Sequence, residues 1–164
     1  MRSETYVRRM QALTEKPRLL RGMILLEKLV AISMFAAYPL LLVYLFSADR
    51  RGFLQALILP ACGFALVSLA RMVIDRPRPY EVFGTASAIP KETRGRSFPS
   101  RHVYSAVLIS LLCLFMLPQK WIGGLLLAAA ALMGAIRVFG GVHFVTDVLT
   151  GALLGVLTAL LACR

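Results

Sequence analysis

The chain has 164 residues, 59% of them hydrophobic and 16% charged, with a mean hydropathy of +0.74. An average soluble domain is roughly 45–50% apolar and about 25% charged. A domain this small cannot hide that much apolar surface from water, so a soluble globule is excluded, together with disordered, collagen-like and disulfide-framework classes. What remains is an integral membrane protein of one domain. Its formal charge of +11, from 19 basic and 8 acidic residues, points to a lipid headgroup or a phosphorylated substrate as the anionic partner, and not to nucleic acid.

Residues 1–22 are polar and basic and lack the short apolar core and small-residue cleavage site of a signal peptide. Tyr6, Met10 and Leu13 recur at i, i+4 and i+7 with Val7 beside them, Arg2, Arg8, Arg9 and Lys16 lie mostly elsewhere, and Pro17 is expected to end the helix. The pattern fits a short amphipathic helix on the membrane surface, its arginines among anionic headgroups; it fits a solvated tail equally well.

Five apolar segments follow within residues 23–164, at about 23–46, 53–74, 102–117, 121–139 and 142–162. Each is near the ~20 residues that cross ~30 Å of hydrocarbon. All are expected to be helices, because lone strands cannot satisfy their backbone in lipid, which makes the fold an all-α membrane bundle. Cys62, Cys113 and Cys163 sit in these apolar runs without metal-ligand spacing and are read as small apolar fillers. Trp121, Phe144 and Tyr104 are read as interface anchors. Five crossings put the two ends of the chain on opposite sides. One face then collects residues 1–22, the end of the second segment, the polar stretch 75–101, the start of the third segment and the junction of the fourth and fifth.

The unusual residues converge on that face. The only two histidines, His102 and His143, each fall at the start of an apolar segment. Arg71 and Arg78 bracket the end of the second segment, Arg137 closes the fourth, and Asp147 follows His143 by four residues, one helical turn. Ionisable groups at membrane depth are costly unless paired or solvated, so they point to function. Arginine forks match phosphoryl oxygens and offset their charge. A histidine held by a carboxylate becomes a better nucleophile or base, and a second one can protonate a leaving alkoxide. Two histidines and one aspartate have the makings of a zinc site, but the surrounding arginines would repel the ion, so neither a metal nor another cofactor is expected. Arg76, Lys91, Arg94 and Arg96 are read as a solvated, headgroup-facing loop, with Tyr80 and Glu81 at the pocket rim.

Three fragments together resemble a known signature. Arg71-x6-Arg78-Pro79, then Pro99-Ser100-Arg101-His102, then Arg137-x5-His143-x3-Asp147 resemble the three-part pattern of the type 2 phosphatidic acid phosphatase family, Lys-x6-Arg-Pro, Pro-Ser-Gly-His and Ser-Arg-x5-His-x3-Asp. The resemblance covers about half the chain. Arg71 stands where the family has lysine, Arg101 where it has glycine, and Ile136 where it has serine; no proton-transfer group is lost. The resemblance implies a metal-independent membrane phosphatase. In it His143 attacks phosphorus to form a phosphohistidine and Asp147 orients it. Arg71, Arg78, Ser100 and Arg137 bind phosphate oxygens, Arg101 points away or joins them, and His102 protonates the leaving oxygen. The substrate is a lipid phosphate, with phosphatidate, phosphatidylglycerol phosphate, a polyprenyl diphosphate or a phosphorylated lipid anchor as candidates. A phosphotransferase with the same intermediate and a non-catalytic lipid-binding scaffold are the alternatives. Lysines and arginines are denser on the site face, which by the positive-inside rule favours the cytoplasm; bacterial members of the family imply the extracytoplasmic side of the cell membrane.

Overall fold

The computed structural model describes residues 3–91 and 93–164, which form α1 (Ser3–Thr14), α2 (Pro17–Ala48), α3 (Arg50–Ile74), the single turn α4 (Pro79–Val82), α5 (Arg101–Met116), α6 (Lys120–Phe139) and α7 (Val145–Ala162). Among the described residues there is no strand. Arg2, expected among headgroups, lies outside them.

Helices α2, α6 and α7 and the span containing α3 are long and apolar enough to cross a membrane. Their outer faces are apolar: Phe35 is 83% exposed and Val73 77%. Pro17 opens α2 at its first turn, where the missing N–H costs nothing. The helix therefore starts before the apolar segment does, and its 32 residues run about 48 Å at 1.5 Å per residue. The boundary expected near residue 22 falls inside this one helix. At its other end Asp49 serves two helices: its N–H closes α2 on the Leu45 carbonyl at 2.8 Å, and its carboxylate accepts the Gly52 N–H at 3.0 Å to cap α3.

Helix α5 is the axis of the bundle. Its 16 residues make only about 24 Å, and Val103, Tyr104, Val107, Leu108, Leu111 and Leu112 along it are buried. Small residues on its neighbours let their backbones come close, the usual device where lipid offers no hydrophobic drive for helix association. A Cβ on Gly123 of α6 would lie 2.3 Å from the Leu114 backbone, and one on Gly151 of α7 would lie 2.5 Å from the Ser100 carbonyl oxygen. Tyr104 is not an interface anchor: it is 1% exposed in the core, with its hydroxyl on Thr158 Oγ1 at 3.4 Å. Trp121 is exposed, and Phe144 is half-buried at the start of α7.

The N-terminal helix forms, but protein covers its apolar stripe. Tyr6 and Met10 are buried against Ala88, with Leu13, Leu20, Tyr80 and Phe83 around them. Tyr6 donates to the Gly141 carbonyl at 3.2 Å, and Arg9 donates to that of Val138 at 3.1 Å. Burial pushes the Tyr6 phenol up to about 12, so it stays a donor. Arg8, Lys16, Arg18 and Arg21 remain exposed.

The close approach at Gly151 gives a test. Gly151→Val drives a side chain into the Ser100 carbonyl, and overpacking of this kind costs roughly 1–3 kcal/mol, about 3–10 °C in the Tm of a chain this size. Gly124→Ala, on a face where a Cβ meets nothing within 4 Å, leaves the Tm of the detergent-solubilised protein unchanged or slightly raised. Equal melting of the two variants would contradict this packing.

Candidate active site

The site lies where the C-termini of α3 and α6 meet the N-termini of α5 and α7. Two stretches of loop are laced together beside it. The Glu81 carboxylate accepts the backbone N–H groups of Arg78 at 2.8 Å and Gly95 at 2.9 Å, and Asp75 accepts that of Arg96 at 3.1 Å. The Ser97 N–H reaches the Arg76 carbonyl at 2.9 Å, and the Tyr80 hydroxyl donates to the Thr93 carbonyl. These bonds present the arginines. Arg78 Nε donates to the Gly95 carbonyl at 3.0 Å, and its Nη1 to that of Val142 at 3.3 Å. Arg71 Nη1 donates to the Pro99 carbonyl at 2.5 Å. Tyr80 and Glu81, expected at the rim, thus fasten the loop behind it.

The turn 140–144 folds back on the end of α6, with the N–H groups of Val142 and His143 both on the Arg137 carbonyl at 3.0 and 3.2 Å. Gly141 makes this possible. Its φ of +78° disfavours a side chain, and a Cβ there would lie 2.7 Å from the Tyr6 hydroxyl.

His143 Nδ1 lies 3.5 Å from Asp147 Oδ2, and the ring is almost fully buried. Asp147 is wholly buried and accepts three hydrogen bonds: the Phe144 N–H at 3.0 Å, the Ser97 hydroxyl at 2.5 Å, and Arg76 Nη1 at 2.9 Å. The same Ser97 hydroxyl oxygen lies 3.3 Å from His143 Nδ1. Arg76 also donates to Thr146 Oγ1 at 2.8 Å and lies over the Phe144 ring at 4.6 Å. Burial lowers the His143 pKa to about 4, against the opposing pull of Asp147. The imidazole is therefore neutral at pH 7, and with Nδ1 on the carboxylate, Nε2 is its free nitrogen.

His143 and His102 line one cavity of about 480 Å³ with Arg71, Arg78, Arg101 and Arg137. Lys91, Arg94 and Arg96, expected to be a solvated loop, line it too. Arg101 also stacks over Phe64 of α3 at 5.3 Å, so the side chain in the family's glycine position stands at the mouth without filling the pocket. Ser100 behaves differently from the expectation. It is fully buried, its hydroxyl has no hydrogen-bond partner, and it does not line this cavity; its N–H holds the Asp147 carbonyl at 2.9 Å. Two more cavities share His102. One, of about 400 Å³, also shares Lys91 and Arg137 and adds Glu27 and Lys28; the other, of about 360 Å³, is an apolar groove between α2, α3 and α5 lined by Met34, Phe35, Tyr38, Phe64 and Ile109.

Three side chains in contact with motif residues are not themselves marked by the sequence motifs. Arg76 pairs with Asp147, Ser97 bonds it, and Glu27 on α2 forms a buried ion pair with Arg137. Glu27 did carry a signal: it and Asp147 are the only acidic residues inside the five apolar segments. Ser97 and Arg76 carried none, because their partner comes from a distant part of the chain.

Residues 52–164 match the PAP2 superfamily. The chain is 31% identical over 132 residues to the undecaprenyl-diphosphatase BcrC of Bacillus subtilis, spanning 78% of this chain and 67% of that protein. Aquifex aeolicus LpxE superposes with a TM-score of 0.71 at 25% identity, over 93% of this chain and 91% of that one. The PAP2-type phosphatidylglycerolphosphate phosphatase of Bacillus subtilis gives 0.69 at 27% identity, over 97% and 83%. The family match covers more than half the chain and contains all three fragments that meet around the cavity, and the chain belongs to the PAP2 superfamily.

Proposed function

We propose that the protein is a metal-independent lipid phosphate phosphatase that acts through a phosphohistidine on His143, with a lipid diphosphate as its preferred substrate. The observation that carries this is the cavity in which a buried histidine, its Nδ1 3.5 Å from a buried carboxylate, faces a wall of guanidinium groups. His143 Nε2 donates its lone pair to phosphorus, and the bond from phosphorus to the leaving oxygen breaks. Arg71, Arg78 and Arg137 offset the charge on the equatorial oxygens, the task that metal ions perform in other phosphoryl-transfer sites. The anionic substrate offsets the cations around His102 and favours its imidazolium form, which gives its proton to the leaving oxygen and becomes neutral. Water then attacks phosphorus, His102 takes up a water proton, the P–N bond breaks, and phosphate and the neutral imidazole are released.

The cavity that holds Glu27 and Lys28 supports the diphosphate. It touches His102 and Arg137 but not His143, as expected for the leaving-group side of an in-line displacement. Lys28, Lys91 and Arg137 outnumber Glu27 among its described lining residues and suit a leaving group that is itself anionic, and the apolar groove beginning at Arg101 and His102 suits its hydrocarbon tail. The similarity to an undecaprenyl-diphosphatase points the same way. Exposed Arg8, Lys16, Arg18 and Arg21 fit anionic headgroups around the mouth. We place that mouth on the extracytoplasmic face of the cell membrane: the cations on this side are drawn there by the phosphate site, which removes the force of the positive-inside count.

Assayed in detergent with excess EDTA, the purified protein is expected to hydrolyse a polyprenyl diphosphate at least tenfold faster, in kcat/KM, than the corresponding monophosphate, and Lys28→Ala should narrow that preference. His143→Ala should retain under about 1% of the activity, since losing a nucleophile typically costs several orders of magnitude. Retention of a tenth would exclude the covalent route.

The depressed His143 pKa has a direct readout. His102→Gln leaves His143 as the sole imidazole in the chain, so its NMR titration needs no assignment. Protonation is disfavoured in the fold, so the midpoint should fall well below the ordinary 6.5, towards about 4. A midpoint at or above 6.5 would contradict the burial that keeps the nucleophile neutral.

Orientation is tested with Pro90→Cys in a background lacking Cys62, Cys113 and Cys163. An impermeant thiol reagent should label it in intact cells; labelling only after lysis would place the site in the cytoplasm.

A further inference from the structure

Glu27 lies outside the residues that match the family, and the hydrolytic cycle above does not use it. It belongs to a stripe of α2, Ile24, Glu27, Ala31 and Met34, that faces the site end of the bundle. It pairs with Arg137 Nη2, and the two side chains are only 15% and 6% exposed. A carboxylate at this depth is costly unless a charge compensates it, so the pairing fixes both side chains. Arg137 keeps donors in reserve. A guanidinium has five N–H groups, Glu27 occupies one edge, and Nε is buried with no partner. The same fork thus serves a carboxylate on one side and phosphate oxygens on the other.

The cavity also holds a large excess of positive charge. Seven cationic side chains line it, with Asp75 the only carboxylate among the described residues that do so. Such a wall binds inorganic phosphate, the product, as readily as it binds the substrate's phosphoryl group, and binding shared by ground and transition states adds nothing to kcat. We propose that Glu27 is a positioning and charge-setting residue: it aims the Arg137 fork and offsets its charge, so that phosphate is gripped in transit and released afterwards. This rests on Arg137 being a phosphate ligand, as the proposed function has it.

The sign of one substitution tests it. Glu27→Gln keeps the shape and an acceptor oxygen but removes the charge. It is expected to tighten competitive inhibition by inorganic phosphate and by vanadate about tenfold, lowering KM and kcat together, as expected when a neighbouring negative charge that weakens anion binding is removed. Glu27→Met serves as a second neutral variant should the amide not fold, and Glu27→Asp, which retains the charge, should keep both inhibition constants within about twofold of the parent. A merely structural ion pair would give the opposite result, weaker phosphate binding in both neutral variants; weaker or unchanged binding there overturns the proposal. Vanadate-induced shifts in Tm report the same affinities without turnover. A parent protein that hydrolyses no lipid phosphate would defeat the proposed function, while the thermal shifts would still decide the role of Glu27.

Discussion

Everything at the site turns on one buried carboxylate. Asp147 has no access to solvent and would be untenable alone, since an ionised group without partners costs several kcal/mol to bury. It is held by one backbone N–H, one hydroxyl and one guanidinium, with one imidazole 3.5 Å away, drawn from the start of its own helix, the loop before α5 and the segment after α3. Those contacts register three parts of the chain against each other. The bond to Phe144 also starts α7 by satisfying an N–H that the helix would otherwise leave free, so one residue sets the helix and orients the His143 ring. Moving Asp147 would shift the histidine, the loop and the helix start together.

Charge is the second constraint. The end of α3 and the segment after it place arginines where lipid and protein would both disfavour them, and the structure retains them through backbone carbonyls as much as through acids: Gly95, Pro99 and Val142 each accept from a motif arginine. Carbonyls orient a guanidinium without cancelling its charge, so Arg71 and Arg78 remain electropositive towards the cavity. Arg137 is treated differently, with a full carboxylate beside it. The cavity therefore contains guanidinium groups whose charge is unequally compensated.

Much of this was legible in the sequence. Hydropathy alone marks the apolar segments, and the four-residue spacing of His143 and Asp147 is enough to bring the two side chains to one side of a helical turn. Other features were hidden for identifiable reasons. The early start of α2 at Pro17 was obscured because polar residues can extend a helix beyond the bilayer, and hydropathy records only the apolar part. The stripe of α1 looks alike whether lipid or protein covers it, and the loop against which it packs is far away in sequence. Arg76 resembled a solvated cation because its partner lies 71 residues on. Tyr104 has the chemistry of an interface anchor, but its place on the central helix decides its burial.

The apolar groove between α2, α3 and α5 meets the arginine cavity at His102 and Arg101 and faces the hydrocarbon sideways. A substrate with its tail in that groove would travel within the leaflet, in two dimensions, and would never pass through bulk water. Encounter frequency is then set by how crowded the leaflet is with substrate, counted as a fraction of its lipids. Diluting the same amount of substrate with inert lipid would slow the reaction, even though its concentration in the tube is unchanged.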